Sequence, residues 1–223
     1  MFQRFVLGLA GLVAAASVSA QSGPWQEGKH YFRIDPPQAT EHAGKVEVTE
    51  VFSYGCPACF SAAPKVKNLK AKLPPNAVMT YVPASWNQGE QWPLFQRSYY
   101  TALALGVADK AHDDMFTEIW GGRSLAVVVN GKIKNPPPTM EDVAKFYEKY
   151  GVKAADFTAT SSSFAINTKM KKAEAYIKAT QVDSTPTFIV NGKYRLNGQS
   201  AGSWENLEAI ILHLVAQESA AAK

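Results

Sequence analysis

The chain has 223 residues, 46% of them hydrophobic, a formal net charge of +4 and only two cysteines. That length supports a sizeable core in one or two domains, and no long Lys/Arg block points to nucleic acid; Lys169-Met170-Lys171-Lys172 reads as a solvated helix face. Two cysteines cannot form a disulfide scaffold or a four-cysteine zinc site, and His30, His42, His112 and His213 show no ligand spacing.

Met1 to Ala20 carries one charged side chain, Arg4, then an apolar run from Phe5 to Val18 and the small-residue ending Val18-Ser19-Ala20. This reads as an export signal cleaved after Ala20. The 14-residue apolar run is short against the roughly 20 residues that span a bilayer, which disfavours an uncleaved anchor. No cysteine directly follows it to accept a lipid. An exported chain meets conditions in which disulfides persist.

His30 to Ile34 is predicted as a short edge strand stopped by Asp35-Pro36-Pro37. Val46 to Phe52, β-branched and apolar, is the predicted central strand; Glu47 is expected to turn to solvent, and Glu50 is the other acid within it. A helix follows through Lys72, with Val66, Leu69 and Leu73 on one face and a kink at Pro64. Val78 to Val82 is a second strand. From about Gln88 strand signals nearly vanish: helices are predicted at 91–105, 110–120, 139–150, 154–163 and 167–180, and 126–130 is left between strand and loop. Thr187–Val190, Asn191-Gly192 and Lys193–Leu196 form a hairpin on the strongest short turn signal available. Ser203 caps a last helix whose Trp204, Leu207, Ile210, Ile211, Leu214 and Val215 make an apolar stripe. The fold class is therefore α/β, a sheet interrupted by an all-helical insert: residues 21–87 and 173–223 for the sheet-bearing unit, 88–172 for the insert.

The two cysteines stand together as Cys56-Pro57-Ala58-Cys59, where the central strand ends and a helix opens. A sulfur at a helix N-terminus meets unpaired N–H groups and the positive end of the macrodipole, both of which favour thiolate. Pro57 suits the first turn, where its missing N–H is no loss, and Cys59 can close a disulfide with Cys56. Haem attachment would need His after the second cysteine, where Phe60 stands. A purely structural disulfide across two residues would constrain the unfolded chain little. Redox chemistry is the reading left. Ser184-Thr185-Pro186-Thr187 is a second candidate site: a trans Pro186 would simply start an edge strand, whereas a cis Pro186 facing Cys56 would leave the Thr185 backbone free to pair with an extended peptide.

Glu50-Val51-Phe52-Ser53-Tyr54-Gly55-Cys56-Pro57-Ala58-Cys59, Ala102-Leu103-Ala104-Leu105-Gly106-Val107 and Thr185 through Tyr194, in that order, resemble the DsbA family of thiol:disulfide oxidoreductases. The resemblance implies a thioredoxin-like fold with a helical insertion, a cis Pro186, Cys56 as the reacting sulfur and Cys59 as the more buried resolving thiol. It implies a periplasmic protein that donates its disulfide to reduced, unfolded exported polypeptides and is reoxidised by a DsbB-like, quinone-linked membrane partner. No metal or cofactor is expected. Three positions depart from familiar members: Ala58 stands where they have His, Tyr81 falls near the position of a Lys that accompanies the buried acid matched by Glu50, and Ala63 replaces a second acid. Glu50 is then expected to be protonated or to relay a proton for Cys59. A reductase on the same scaffold is one alternative. An isomerase would need a dimerisation domain that the short N-terminal segment cannot supply, so a monomer is expected. Another alternative is a non-catalytic peptide binder using an aromatic groove of Trp86, Trp92 and Tyr99.

Overall fold

In the computed structural model residues 24–221 are described; the expected signal, residues 1–20, lies outside them. Every residue of β2 (Val46–Phe52) is buried, as befits a β-branched run covered on both faces. It pairs in parallel with β3 (Ala77–Pro83) and antiparallel with β6 (Thr187–Val190). With β7 (Tyr194–Asn197) and β1 (Phe32–Arg33) they form a sheet in the order β1-β7-β6-β2-β3. The predicted central and edge strands thus take those positions, although β1 is only two residues long.

Two helices, α1 (Pro57–Lys72) and α8 (Trp204–Ala221), cover one face, where Val66, Leu69, Ile210 and Leu214 cluster with Val46, Val48, Phe188 and Val190. Pro64 lies on the exposed side of α1, and the helix continues past it. On the other face Ala173 and Ile177 of α6 (Phe164–Ala179) cluster with Val51 and Ile189. This second layer overturns one expectation. Glu47 does not reach solvent: it is 6% exposed, accepts the Glu41 and His42 backbone N–H groups at 2.6 Å each, and lies 2.7 Å from His42 Nδ1. The preceding loop closes over the strand, so backbone donors replace water around the carboxylate.

Between β3 and α6 lie α2 (Trp92–Ala104), α3 (Ala108–Trp120), a hairpin of β4 (Val128–Val129) and β5 (Lys132–Ile133), α4 (Met140–Glu148) and α5 (Ala154–Ser161). The ambiguous segment at 126–130 resolves as part of that hairpin, turning through Asn130 and Gly131 at φ 53° and 73°. Thr139 and Asp142 make a capping box on α4. Helix α6 begins three residues earlier than expected because Ser163 caps it, Oγ accepting the Ile166 N–H at 3.4 Å, and it runs unbroken through residue 172. One short helix, α7 (Gly198–Ala201), was not predicted. The insert docks through an aromatic hub: the Phe52 ring lies 5.0–6.1 Å from those of Tyr54, Tyr81, Tyr99, His112 and Phe116, a set of ring contacts spanning β2, β3, α2 and α3.

The β6–β7 turn shows a strict backbone requirement. Asn191 and Gly192 have φ of 53° and 65°, and a Cβ on Gly192 would fall 2.0 Å from the Gln38 carbonyl oxygen. Gly192→Ala is expected to cost about 2 kcal/mol or more, read as a lower denaturant midpoint. Gly44→Ala, also at positive φ but with nothing within 4 Å, should cost only about 1 kcal/mol.

Candidate active site

The parallel β2 delivers the chain into a turn in which Cys56 N–H donates to Ser53 O and Gly55 N–H to Ser53 Oγ, both at 3.1 Å. Gly55 admits no side chain: a Cβ there would lie 2.6 Å from the Trp92 ring. From the insert, the Trp120 indole N–H donates to Tyr54 O at 2.9 Å, and Tyr54 OH lies 3.0 Å from His112 Nδ1. Sheet and insert together therefore hold the residues before Cys56.

Cys56 is the N-cap residue of α1, extended at φ −91° and ψ 118°, with Pro57 in the first turn. Its Sγ accepts the Cys59 N–H at 3.4 Å, so an orphan donor of the helix end is aimed at the sulfur. Pro57 and Ala58 are exposed. Both thiols are free and buried: Cys56 keeps 5% of its surface and Cys59 none. Cys56 is thus less open than an exposed nucleophile would be, yet still the more accessible of the two. The Thr185–Pro186 bond is cis, and the Cys56 thiol donates to Thr185 O at 3.5 Å. The structure therefore brings Cys56, Pro57, Ala58, Cys59, Thr185 and Pro186 into one locus from two distant stretches.

Glu50 is 2% exposed, opposite Tyr81 in β3 and Phe188 in β6. Burial first, then the charge on Cys56, push its carboxyl from 4.5 up to about 8. The Cys56 thiol is drawn down from 9.0 to about 6, chiefly by a hydrogen bond with the Cys59 side chain, against the opposing pull of burial and with help from the Cys59 and Ala58 backbone. Burial first, then the bond with Cys56, hold the Cys59 thiol well above 9.0. Neutral pH therefore favours one thiolate, on Cys56, with a proton on Cys59 and another on Glu50. Tyr81 stands beside Glu50, near the position where the resemblance puts a Lys in other members, and Lys70 Nζ lies 5.7 Å from the Tyr81 ring centroid.

The aromatic groove weighed as an alternative is not formed. Trp92 and Tyr99 are buried in the core, because α2 turns that side onto the hub, and only Trp86 remains exposed. Sequence reasoning passed over Trp120, His112 and Gly55. Nothing in the chain links Trp120 to Tyr54 across 66 positions; the glycine next to a cysteine was the one legible signal.

A parallel–antiparallel sheet with a Cys-x-x-Cys at a helix N-terminus, facing a cis-proline, defines a thiol:disulfide oxidoreductase of the thioredoxin class. Comparison with known proteins narrows this. Residues 78–211 match the family model described as DSBA-like thioredoxin domain. The thiol:disulfide interchange protein DsbA of Pseudomonas aeruginosa is 33% identical over 218 residues, covering 96% of this chain and 97% of that protein. The crystal structure of Pseudomonas aeruginosa DsbA superposes with a TM-score of 0.75 at 33% identity, over 89% of this chain and 96% of that one. The oxidoreductase DsbA of Xylella fastidiosa does so at 0.76 and 32%, over 86% and 97%. The chain belongs to the DsbA family, and it is a thiol:disulfide oxidoreductase.

The buried acid sets a pH signature. Glu50 has a folded value of about 8 against 4.5 unfolded, so the unfolded chain loses this proton first and the fold is destabilised as pH rises between those values. The stability advantage of Glu50→Gln over wild type should therefore grow by about 3 kcal/mol from pH 4.5 to 7 and level off above pH 8. Denaturation of the reduced proteins across that range reads it; a pH-independent difference would place an ionised carboxylate at Glu50.

Proposed function

We propose that this protein is an exported, periplasmic dithiol oxidase that passes the Cys56–Cys59 disulfide to reduced, unfolded polypeptides. The observation that carries the direction is the stabilised Cys56 thiolate: a dithiol form held by hydrogen bonds to its sulfur makes the disulfide a better acceptor of electrons. A substrate thiolate attacks Cys56 Sγ, the Cys56–Cys59 bond breaks, and Cys59 leaves carrying the electron pair. Glu50, protonated near neutrality and within electrostatic reach of Cys59, then hands that sulfur a proton. The substrate's second thiolate then attacks the substrate sulfur of the mixed disulfide and releases Cys56 as thiolate. Two electrons and two protons have left the substrate, whose thiols end as a disulfide. A DsbB-like, quinone-linked membrane oxidase would take the electrons in turn. The low-charge sequence 1–20 supports export. Among the described residues no helix is long and apolar enough to cross a membrane. The Thr185 segment supports substrate docking because its backbone lies against the Cys56 sulfur, Thr185 O accepting from the thiol at 3.5 Å, where an extended substrate chain would pair alongside it.

Mixing the oxidised protein with reduced, unfolded ribonuclease should consume two substrate thiols per protein. Preferential reduction of insulin, with no net oxidation, would favour the reductase reading instead. Cys59→Ser should arrest the reaction as a mixed disulfide on Cys56, seen as a reductant-sensitive conjugate. Thiolate absorbance in the reduced wild type should titrate with a midpoint about pH 6 and be lost in Cys56→Ser. Faster alkylation of Cys59 than of Cys56 would reverse the assignment.

The exposed Ala58 is a tuning position. A His there adds a donor and a positive charge beside Cys56. Lowering the thiolate by about one unit corresponds to about 1.4 kcal/mol and raises the potential by roughly 30 mV. Because the folded value of Cys56, about 6, lies below its ordinary 9.0, this stabilisation of the reduced fold is full above pH 9 and fades as pH falls through 6. Ala58→His should shift the fade to lower pH and equilibrate with glutathione as the stronger oxidant. An unchanged potential would assign the poise to the helix N-terminus alone.

A further inference from the structure

The lysines read from the sequence as a solvated helix face divide in the structure. Lys169 and Lys172, one turn apart on α6 and so on one side of it, line a cavity of about 470 Å³; Lys171 does not. The other walls are α2, strands β2 and β3, and the loop ahead of β2. Neither lysine has an acidic partner among the described residues, whereas Lys67, Lys70, Lys72, Lys149 and Lys193 each lie within 3.4 Å of one. The rim is apolar: Phe164 is 85% exposed and Leu103 45%. The floor makes few polar demands. The Thr49 and Thr80 hydroxyls bond each other at 2.8 Å, and Glu47 is taken up by the Glu41 and His42 N–H groups and the His42 ring. One buried group is left over. Tyr100 is 7% exposed and lines the cavity, and its hydroxyl has no hydrogen-bond partner among the described residues; a buried phenol normally has one. None of the lining residues belongs to the Cys56 locus.

The volume falls in the range that takes one small organic molecule, about 300–1,000 Å³. Two unpaired ammonium groups on the α6 wall call for an anionic end. The rings of Tyr100, Tyr176 and Phe164 suit a flat apolar body better than a bare inorganic anion. The Tyr100 hydroxyl calls for a second polar group. Glu41, on the loop wall, is the lining acid whose carboxylate is not already bonded among the described residues, and it turns the anionic end toward α6. We propose that this cavity binds a small aromatic carboxylate that carries a ring hydroxyl. The carboxylate meets Lys169 and Lys172, the ring lies among Tyr100, Tyr176 and Phe164, and the hydroxyl pairs with that of Tyr100. Bound there, the ligand ties α2 of the insert to the α6 face of the sheet, so it acts on stability and leaves thiol chemistry alone. The site goes beyond the dithiol-oxidase reading and does not depend on it.

The test titrates the oxidised protein by calorimetry with three probes: 4-hydroxycinnamate, its amide, and cinnamate, which lacks the hydroxyl. 4-Hydroxycinnamate should bind with a Kd of about 0.1 mM and raise the Tm. The amide and cinnamate should each bind about fivefold more weakly, the effect of one net polar contact. Lys169→Gln/Lys172→Gln should erase the difference between acid and amide, and Tyr100→Phe the difference made by the hydroxyl. Lys171→Gln, off the cavity, should keep both, and Glu41→Gln should tighten the acid about twofold. Thermal melts check the fold of each variant, and their reduction potentials should match the wild type. Neither heat nor a Tm change at about 5 mM 4-hydroxycinnamate would overturn the site. So would equal affinity for acid and amide in the wild type, or differences that survive in Lys169→Gln/Lys172→Gln or in Tyr100→Phe. Should Tyr100→Phe fail to fold, the surface lysine pair decides the outcome by itself.

Discussion

The constraint on which this structure turns is the seat of one sulfur atom. Cys56 ends a fully buried strand and begins a helix, so its Sγ stands where α1 has unpaired N–H groups to offer, and the Cys59 N–H is directed at it. Neither part works alone. A free helix end in water would be solvated, and a buried thiol without donors would be pushed up in pKa, as Cys59 is. The combination of burial and aligned donors draws the Cys56 thiol down while burial holds that of Cys59 up.

Keeping that thiolate requires that its surroundings bring no second negative charge. Glu50 lies within electrostatic reach of both cysteines, and its burial in the sheet keeps the carboxyl neutral at the pH where Cys56 ionises. The aromatic that pairs with Glu50 across β2 and β3 fits the same logic. A Lys at the Tyr81 position would stabilise the carboxylate and return a negative charge to the site, whereas Tyr81, itself pushed up by burial and by Glu50, stays neutral.

The insert is more than a lid on the sheet. Phe52 and Tyr54 extend β2 into a set of rings contributed by α2 and α3, and Trp120 fixes the Tyr54 carbonyl two residues ahead of Cys56. Trp92 presses on Gly55 closely enough to forbid a Cβ. The turn that presents the sulfur is thus clamped between two layers.

Local chemistry was legible from the chain. An apolar, β-branched run marked β2, Asn191-Gly192 marked the hairpin, Thr139 and the acids after it marked a helix start, and Cys56-Pro57-Ala58-Cys59 announced its reactivity, because each depends on backbone preferences within a few residues. Helix α6 starts earlier than the sequence suggests because Ser163, the last residue of the preceding predicted helix, serves as its cap. The chain could not say that Glu47 would be buried under its own preceding loop, that Trp92 and Tyr99 would turn inward, or that Trp120 would bond Tyr54. Those outcomes depend on which surfaces of sheet and insert meet. From residues alone, the geometry of Pro186 stayed open between two isomers until β6 laid Thr185 against Cys56. The sequence by itself determined the strand-to-helix seat of Cys56, since helix ends and dipoles are local; only the tertiary structure decided the protonation of Glu50 and what surrounds that sulfur, since desolvation and charge act through space between residues far apart in the chain.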